Sequence, residues 1–159
     1  MNVVSDSSPI IALSSVGQLN LLRGLLGTVQ IPTAVKKEVM VERRKDVREG
    51  MAQGWIVVRE VADSQDMRRL RAVLGAGEAE AISLALESTD ALLLVDDRLA
   101  RSKAIARGVR VVGTLGLVAV AAERGLVGDV ESLCRQLVGE GFWVSESVIR
   151  GIISQSKAR

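Results

Sequence analysis

Short runs of apolar and β-branched residues alternate along the chain with longer segments whose apolar positions recur at helical spacing. The runs fall at residues 3–4, 28–31, 55–58, 91–95 and 109–112. Turn-forming residues bound them: Ser5-Asp6 after the first, Gly27 and Pro32 around the second, Gly54 before the third, Asp96-Asp97 after the fourth and Gly113-Thr114 after the fifth. Continuous apolar runs without polar alternation predict strands covered on both faces, as in a parallel sheet. Helices are expected over residues 9–16, 19–26, 34–51, 66–74, 78–87, 97–107, 115–124, 130–137 and 146–154. Thr33 is the expected N-cap of the third helix and Gly108 the expected stop of the sixth. No repeat, low-complexity tract or linker breaks the pattern. Strands interleaved with helices predict one three-layer α/β/α domain over residues 1–159, around a central parallel sheet of about five strands.

Composition narrows the chemistry. At 159 residues and 48% hydrophobic content the chain can bury a sizeable core and is not of a disordered type. It has no histidine, which excludes serine or cysteine catalysis through a histidine base. One cysteine, Cys134, can build neither a zinc site nor an internal disulfide, and this suits a reducing cytosol. Trp55, Phe142 and Trp143 are the only aromatics, too few for a dedicated single-strand-binding sheet. The net charge of +2 permits a polyanionic partner without demanding one. The first residues lack the cationic start and apolar run of a signal peptide, and no apolar stretch reaches membrane-spanning length. The expectation is a cytoplasmic protein with no membrane partner. Its chemistry must come from carboxylates, hydroxyls, amines or a hard metal ion.

The acids are unevenly placed. In open α/β sheets ligands bind beyond the carboxyl ends of the strands. Asp6 stands at the end of the first strand and Asp96-Asp97 at the end of the fourth. Glu38 borders the apolar stripe of Val35 and Val39. Glu78 opens its helix with Ile82 and Ala85 on the core-facing side, whereas Glu80 shares a face with Ser83 and Glu87 and reads as solvated. Carboxylates gathered at one edge repel one another unless a cation neutralises them, and Mg²⁺ or Mn²⁺ prefers oxygen ligands. A site of Asp6, Glu38, Glu78 and Asp96, with Asp97 nearby, is the metal centre this composition can build. Each acid also has a plainer reading. Asp6, Asp96 or Asp97 can cap a helix, Glu78 can serve a helix dipole, and Glu38 can be a surface charge.

Placed this way, the acids give the chain a resemblance to the PIN domain family, small metal-dependent nucleases that include many prokaryotic toxins of toxin–antitoxin pairs. The resemblance runs from Val3 to about Ile153. Val4-Ser5-Asp6-Ser7-Ser8-Pro9 resembles the opening strand with its first metal-binding Asp. Ile31-Pro32-Thr33 through Glu38-Val39 resembles the Pro-then-Glu helix, and Leu74-Gly75-Ala76-Gly77-Glu78 the third acidic position. Leu93-Leu94-Val95-Asp96-Asp97-Arg98 resembles the fourth, without the Thr that typical toxins carry there, so Asp96 and Asp97 both stay open as the ligand. Val112-Gly113-Thr114-Leu115-Gly116 and Gly141-Phe142 look like a VapC-like, toxin-related branch.

The resemblance implies a Mg²⁺- or Mn²⁺-dependent endoribonuclease, a toxin with a protein antitoxin, acting as a homodimer. Its catalytic residues would be Asp6, Glu38, Glu78 and Asp96, with Ser8 or Thr114 positioning water or phosphate. Arg98, Arg101 and Lys103 are candidates for holding the RNA backbone, against a reading as a solvated helix face. The alternative is a non-catalytic PIN-like module that binds protein or RNA. A phosphotransfer domain would need a lysine at a strand end, and Lys36, Lys37, Lys45, Lys103 and Lys157 offer none.

Overall fold

A computed structural model describes residues 1–157; residues 158 and 159, part of the predicted domain, lie outside the described residues. The elements in chain order are β1 (Asn2–Ser5), α1 (Ser7–Ser15), α2 (Asn20–Leu26), β2 (Val29–Pro32), α3 (Thr33–Val39), α4 (Lys45–Ala52), β3 (Ile56–Arg59) and α5 (Gln65–Arg71). They continue with α6 (Ala76–Leu86), β4 (Ala91–Leu94), α7 (Arg98–Ala106), β5 (Arg110–Val112), α8 (Thr114–Glu123), α9 (Val130–Gly139) and α10 (Glu146–Lys157). All five expected strands are present and pair in parallel, in the order β3-β2-β1-β4-β5. The chain is a three-layer α/β/α fold.

Strand β1 shows how the layers arise. Successive side chains of a strand point to opposite faces. Val3 accordingly enters one core with Ile10, Leu22, Val118, Leu137 and Ile149. Val4 enters the other with Met67, Leu70, Ile82 and Ala104. Helices α1, α2, α8, α9 and α10 cover the first face, and α5, α6 and α7 the second. Helix α3 packs against both α1 and α6, so it bridges the layers at the sheet's carboxyl edge.

β1 is central, and the chain crosses from its β2 side to its β4 side, which opens a crevice at that edge. In register, Ser5 lies opposite Leu94, and the Asp6 N–H donates to the Leu94 carbonyl at 2.9 Å. Asp6 and Asp96 therefore leave the sheet at nearly the same level.

Two local expectations need correction. The single helix expected over residues 34–51 is two helices, α3 and α4, separated by a turn in which Arg43 adopts a left-handed φ of 51°. No Gly or Pro marks the break; tertiary contacts override helix propensity there. The break lets Arg44 donate to the hydroxyls of Ser14 and Ser15, and lets Asp46 accept from Ser14 at 2.8 Å, gripping the end of α1. Thr33 is not the cap of α3; Pro32 holds that place and Thr33 begins the helix. Gly108 does follow α7 with φ 81°, a conformation that costs glycine nothing.

Candidate metal centre

Asp6, Glu38, Glu78, Asp96 and Asp97 come from four places, the β1–α1 junction, α3, α6 and the β4–α7 junction, and line one cleft of about 1010 Å³ at the carboxyl edge. Asp6 is only 5% exposed. It occupies the N-cap place of α1, yet its side chain makes no capping hydrogen bond, and its Oδ1 is buried without a partner. Burial pushes its pKa up to about 7; the charges of Glu78, Glu38 and Asp96 add to the rise, and the Ser7 backbone N–H opposes it.

Glu78 divides its two oxygens. One accepts a long hydrogen bond of 3.4 Å from the Gly75 N–H, which serves the start of α6. The other, Oε2, is buried and unpartnered. Burial and then the nearby Asp97 carboxylate hold its pKa above the ordinary value, against the Gly75 hydrogen bond. Two orphaned carboxylate oxygens in one cleft are a standing cost unless something positive meets them.

Hydroxyls position the other two acids. Glu38, on the last turns of α3, accepts from the buried Ser7 hydroxyl. Asp96 accepts from the Thr114 N–H at 2.8 Å, the Thr114 hydroxyl at 2.7 Å and the Ser8 hydroxyl at 3.0 Å. Thr114 is fully buried. Ser8 and Thr114 thus orient a carboxylate of the cleft. Asp97 caps α7 through the Ala100 N–H at 2.9 Å, while Asp96 makes no such cap. The two acids left open by the sequence therefore have different duties.

Glu80 departs from its expected place. It is 8% exposed rather than solvated, ion-paired with Arg71 at 2.8 Å and accepting from the Ala34 N–H at 3.3 Å. It ties α5 and α6 to the start of α3 and does not line the cleft. Of the basic run on α7, Arg101 lines the cleft, its guanidinium donating to the Val95 carbonyl at 3.2 Å; Arg98 and Lys103 do not line it.

Two glycines make these approaches possible. A Cβ at Gly113 would sit 2.9 Å from both Asp96 Oδ1 and an Arg101 nitrogen. A Cβ at Gly77 would sit 2.5 Å from Glu38 Oε1. Gly77→Ala is therefore expected to move the Glu38 carboxylate, a flexible group, and leave the fold intact. Mn²⁺ affinity should fall about 10- to 100-fold by titration calorimetry, while the melting temperature of the metal-free protein stays level or rises slightly.

Among the described residues, no three acids already stand at ligand spacing about one point. The donor set nonetheless fits a hard divalent ion. It is all oxygen, it converges on one cleft from four places, and two of its atoms lack any other partner. Sequence reasoning passed over Ser7 and Gly77, whose roles depend on contacts with α3 that local pattern does not encode. It noted Trp143 only as a scarce aromatic and gave Phe142 no place in the site, yet both line this cleft.

A parallel sheet with carboxylates collected at its carboxyl edge defines an α/β protein with an acid-lined centre. The chain belongs to the PIN domain family: the family model DUF3368, described as PIN domain, matches residues 2–158. Among solved structures it is similar to a PilT N-terminus domain protein, SSO1118, from the hyperthermophilic archaeon Sulfolobus solfataricus P2. That similarity has a TM-score of 0.58 and 23% identity, and covers 76% of this chain and 93% of the other. At that identity it speaks for the fold alone. No curated protein matches the sequence. Among the described residues no helix is long and apolar enough to cross a membrane.

Proposed function

We propose that the chain is a Mg²⁺- or Mn²⁺-dependent endoribonuclease, the toxin of a toxin–antitoxin pair. The observation that carries this is the pair of buried, unpartnered oxygens, Asp6 Oδ1 and Glu78 Oε2, in a cleft lined by six acids and one arginine. Asp6, Glu38, Glu78 and Asp96 would hold the ion. When bound, it would lower the pKa of water and stabilise charge developing on a phosphodiester. Asp6 and Glu78 supply oxygens already stripped of water. Ser7 holds Glu38, and Thr114 with Ser8 holds Asp96, so these ligands need little reordering. Asp97 fixes the start of α7, the helix that carries Arg101 into the cleft. Arg101 is placed to meet a phosphate. No residue of the cleft is a histidine, so proton removal from water rests on the electrostatics of the acids and the ion.

Labelled RNA incubated with Mn²⁺ or Mg²⁺, with and without EDTA, tests the reading. Cleavage that EDTA abolishes is expected. Metal binding with RNA bound and uncut would instead place the chain with the non-catalytic modules. A homodimer and an antitoxin partner follow from the family resemblance. Light scattering at micromolar concentration is expected to give the mass of two chains, and a monomer there would remove the dimer.

A further inference from the structure

Helix α3 carries Glu38 but is poorly equipped to hold itself in place. It has only seven residues, too few to persist without tertiary contacts. Its N-cap is Pro32, which offers no side-chain acceptor, and the Thr33 hydroxyl donates away from the helix, to the Arg59 carbonyl at 3.5 Å. The first amides of a helix need acceptors from elsewhere. The Ala34 N–H finds one in Glu80 Oε1, 3.3 Å away on α6. The other oxygen, Oε2, pairs with Arg71 of α5 at 2.8 Å, which neutralises a buried carboxylate. A charged cap borrowed from a neighbouring helix also meets the positive end of the α3 dipole.

This contact has a companion one turn away. Ala34 and Glu38 lie four residues apart on one face of α3, and Gly77 and Glu80 lie three apart on one face of α6. The Glu38 carboxylate rests on Gly77, closer than a Cβ there would allow. Helix α3 therefore meets α6 at two rungs, 34 with 80 and 38 with 77, and Glu78 leaves α6 between them. We infer that Glu80 is a positioning residue of the metal centre: by capping α3 from α6 it fixes the register of the two helices, and with it the separation of the Glu38 and Glu78 carboxylates. The inference rests on the proposed metal-dependent reading. Glu80 does not line the cleft, so it acts through the α3 backbone. The Ser7 hydroxyl also orients Glu38, but it ties that carboxylate to α1 and not to α6.

Three substitutions separate positioning from charge and from general stability. Glu80→Ala removes both the cap and the charge. Glu80→Gln keeps a carbonyl oxygen for the Ala34 N–H and removes only the charge. Asp66→Ala breaks the 2.8 Å pair with Arg107 between α5 and α7 and destabilises the chain without touching α3. Amide exchange of the metal-free chain, followed by NMR, reads the helix itself. In Glu80→Ala the α3 amides should exchange about 10-fold faster relative to those of α8, with that ratio unchanged in Glu80→Gln and Asp66→Ala. Titration calorimetry at pH 8 reads the centre. Mn²⁺ affinity should fall about 10-fold in Glu80→Ala, recover in Glu80→Gln and stay level in Asp66→Ala. In a Glu38→Gln background, Glu80→Ala should cost no further affinity, because its effect passes through Glu38. Unchanged α3 exchange in Glu80→Ala would overturn the inference. So would equal losses of affinity in Glu80→Gln and Glu80→Ala, which would assign the effect to charge, or a further loss in the Glu38→Gln background, which would assign it to general loosening. The metal reading fails separately: a wild type that binds no Mn²⁺ removes that reading, while the exchange ratio still decides whether Glu80 seats α3 on α6.

Discussion

Asp6→Asn is expected to lose at least about 100-fold in RNA cleavage and, measured without metal at pH 8, to melt at a higher temperature than the wild type. The activity loss follows from position. Even residues that only orient metal ligands cost about 10- to 100-fold when removed, and Asp6 supplies one of the two orphaned oxygens itself. The gain in stability follows from charge. Asp6 is 5% exposed, and burial together with Glu78, Glu38 and Asp96 raises its pKa to about 7. Holding it ionised at pH 8 costs the folded state up to about 4 kcal/mol relative to an ordinary carboxylate. The neutral amide removes that cost and can donate toward Glu38 or Glu78. A variant that is inactive and more stable separates a functional carboxylate from a structural one, because removing a structural acid destabilises. Thermal melts and cleavage rates on the same preparation check it, and a lower melting temperature would count against the assignment.

The second large effect is the pH dependence of metal stabilisation. The pKa of Asp6 lies above its ordinary 3.8 in the folded protein, and that of Glu78 is also raised. Between those values the folded state holds protons more tightly than the unfolded state. The contribution to stability is therefore fully present below about pH 4 and is lost as pH rises through about 7. A divalent ion opposes that loss by binding the ionised form. At about 100 times its dissociation constant, Mn²⁺ should raise the melting temperature by about 5–10 °C at pH 8. The rise should shrink toward zero at pH 5, where protons occupy the same oxygens. Differential scanning calorimetry across that range reads both limbs. A metal effect independent of pH would mean the ion binds elsewhere.

The parallel sheet was legible because its strands are covered on both faces and read as unbroken apolar runs, such as 91–95 before Asp96. The acids at the ends of β1 and β4 were legible for the same reason: strand ends place them without knowledge of packing. What local pattern cannot carry is whatever a distant segment decides. The turn at Arg43 exists because Arg44 and Asp46 bind the end of α1 across the fold. Glu80 looked solvated on a helical wheel, but α6 is buried on most sides and Arg71 reaches in from α5. What separates Asp96 from Asp97 is the Thr114 hydroxyl, 18 positions on, which donates to Asp96, while Asp97 caps α7. Ser8 and Thr114 were noticed for their hydroxyls, but the groups they bind were not predictable from their neighbours.

The central claim is that Asp6 and its neighbouring acids form one centre that a divalent ion completes. Isothermal titration of the metal-free chain with Mn²⁺ at pH 7, in buffers of different ionisation enthalpy, tests it most directly. Because Asp6 titrates near that pH, binding should release a fraction of a proton per ion. Both the binding and the release should disappear in Asp6→Asn. Equal Mn²⁺ binding by wild type and variant, or no binding by the wild type at millimolar metal, would contradict it.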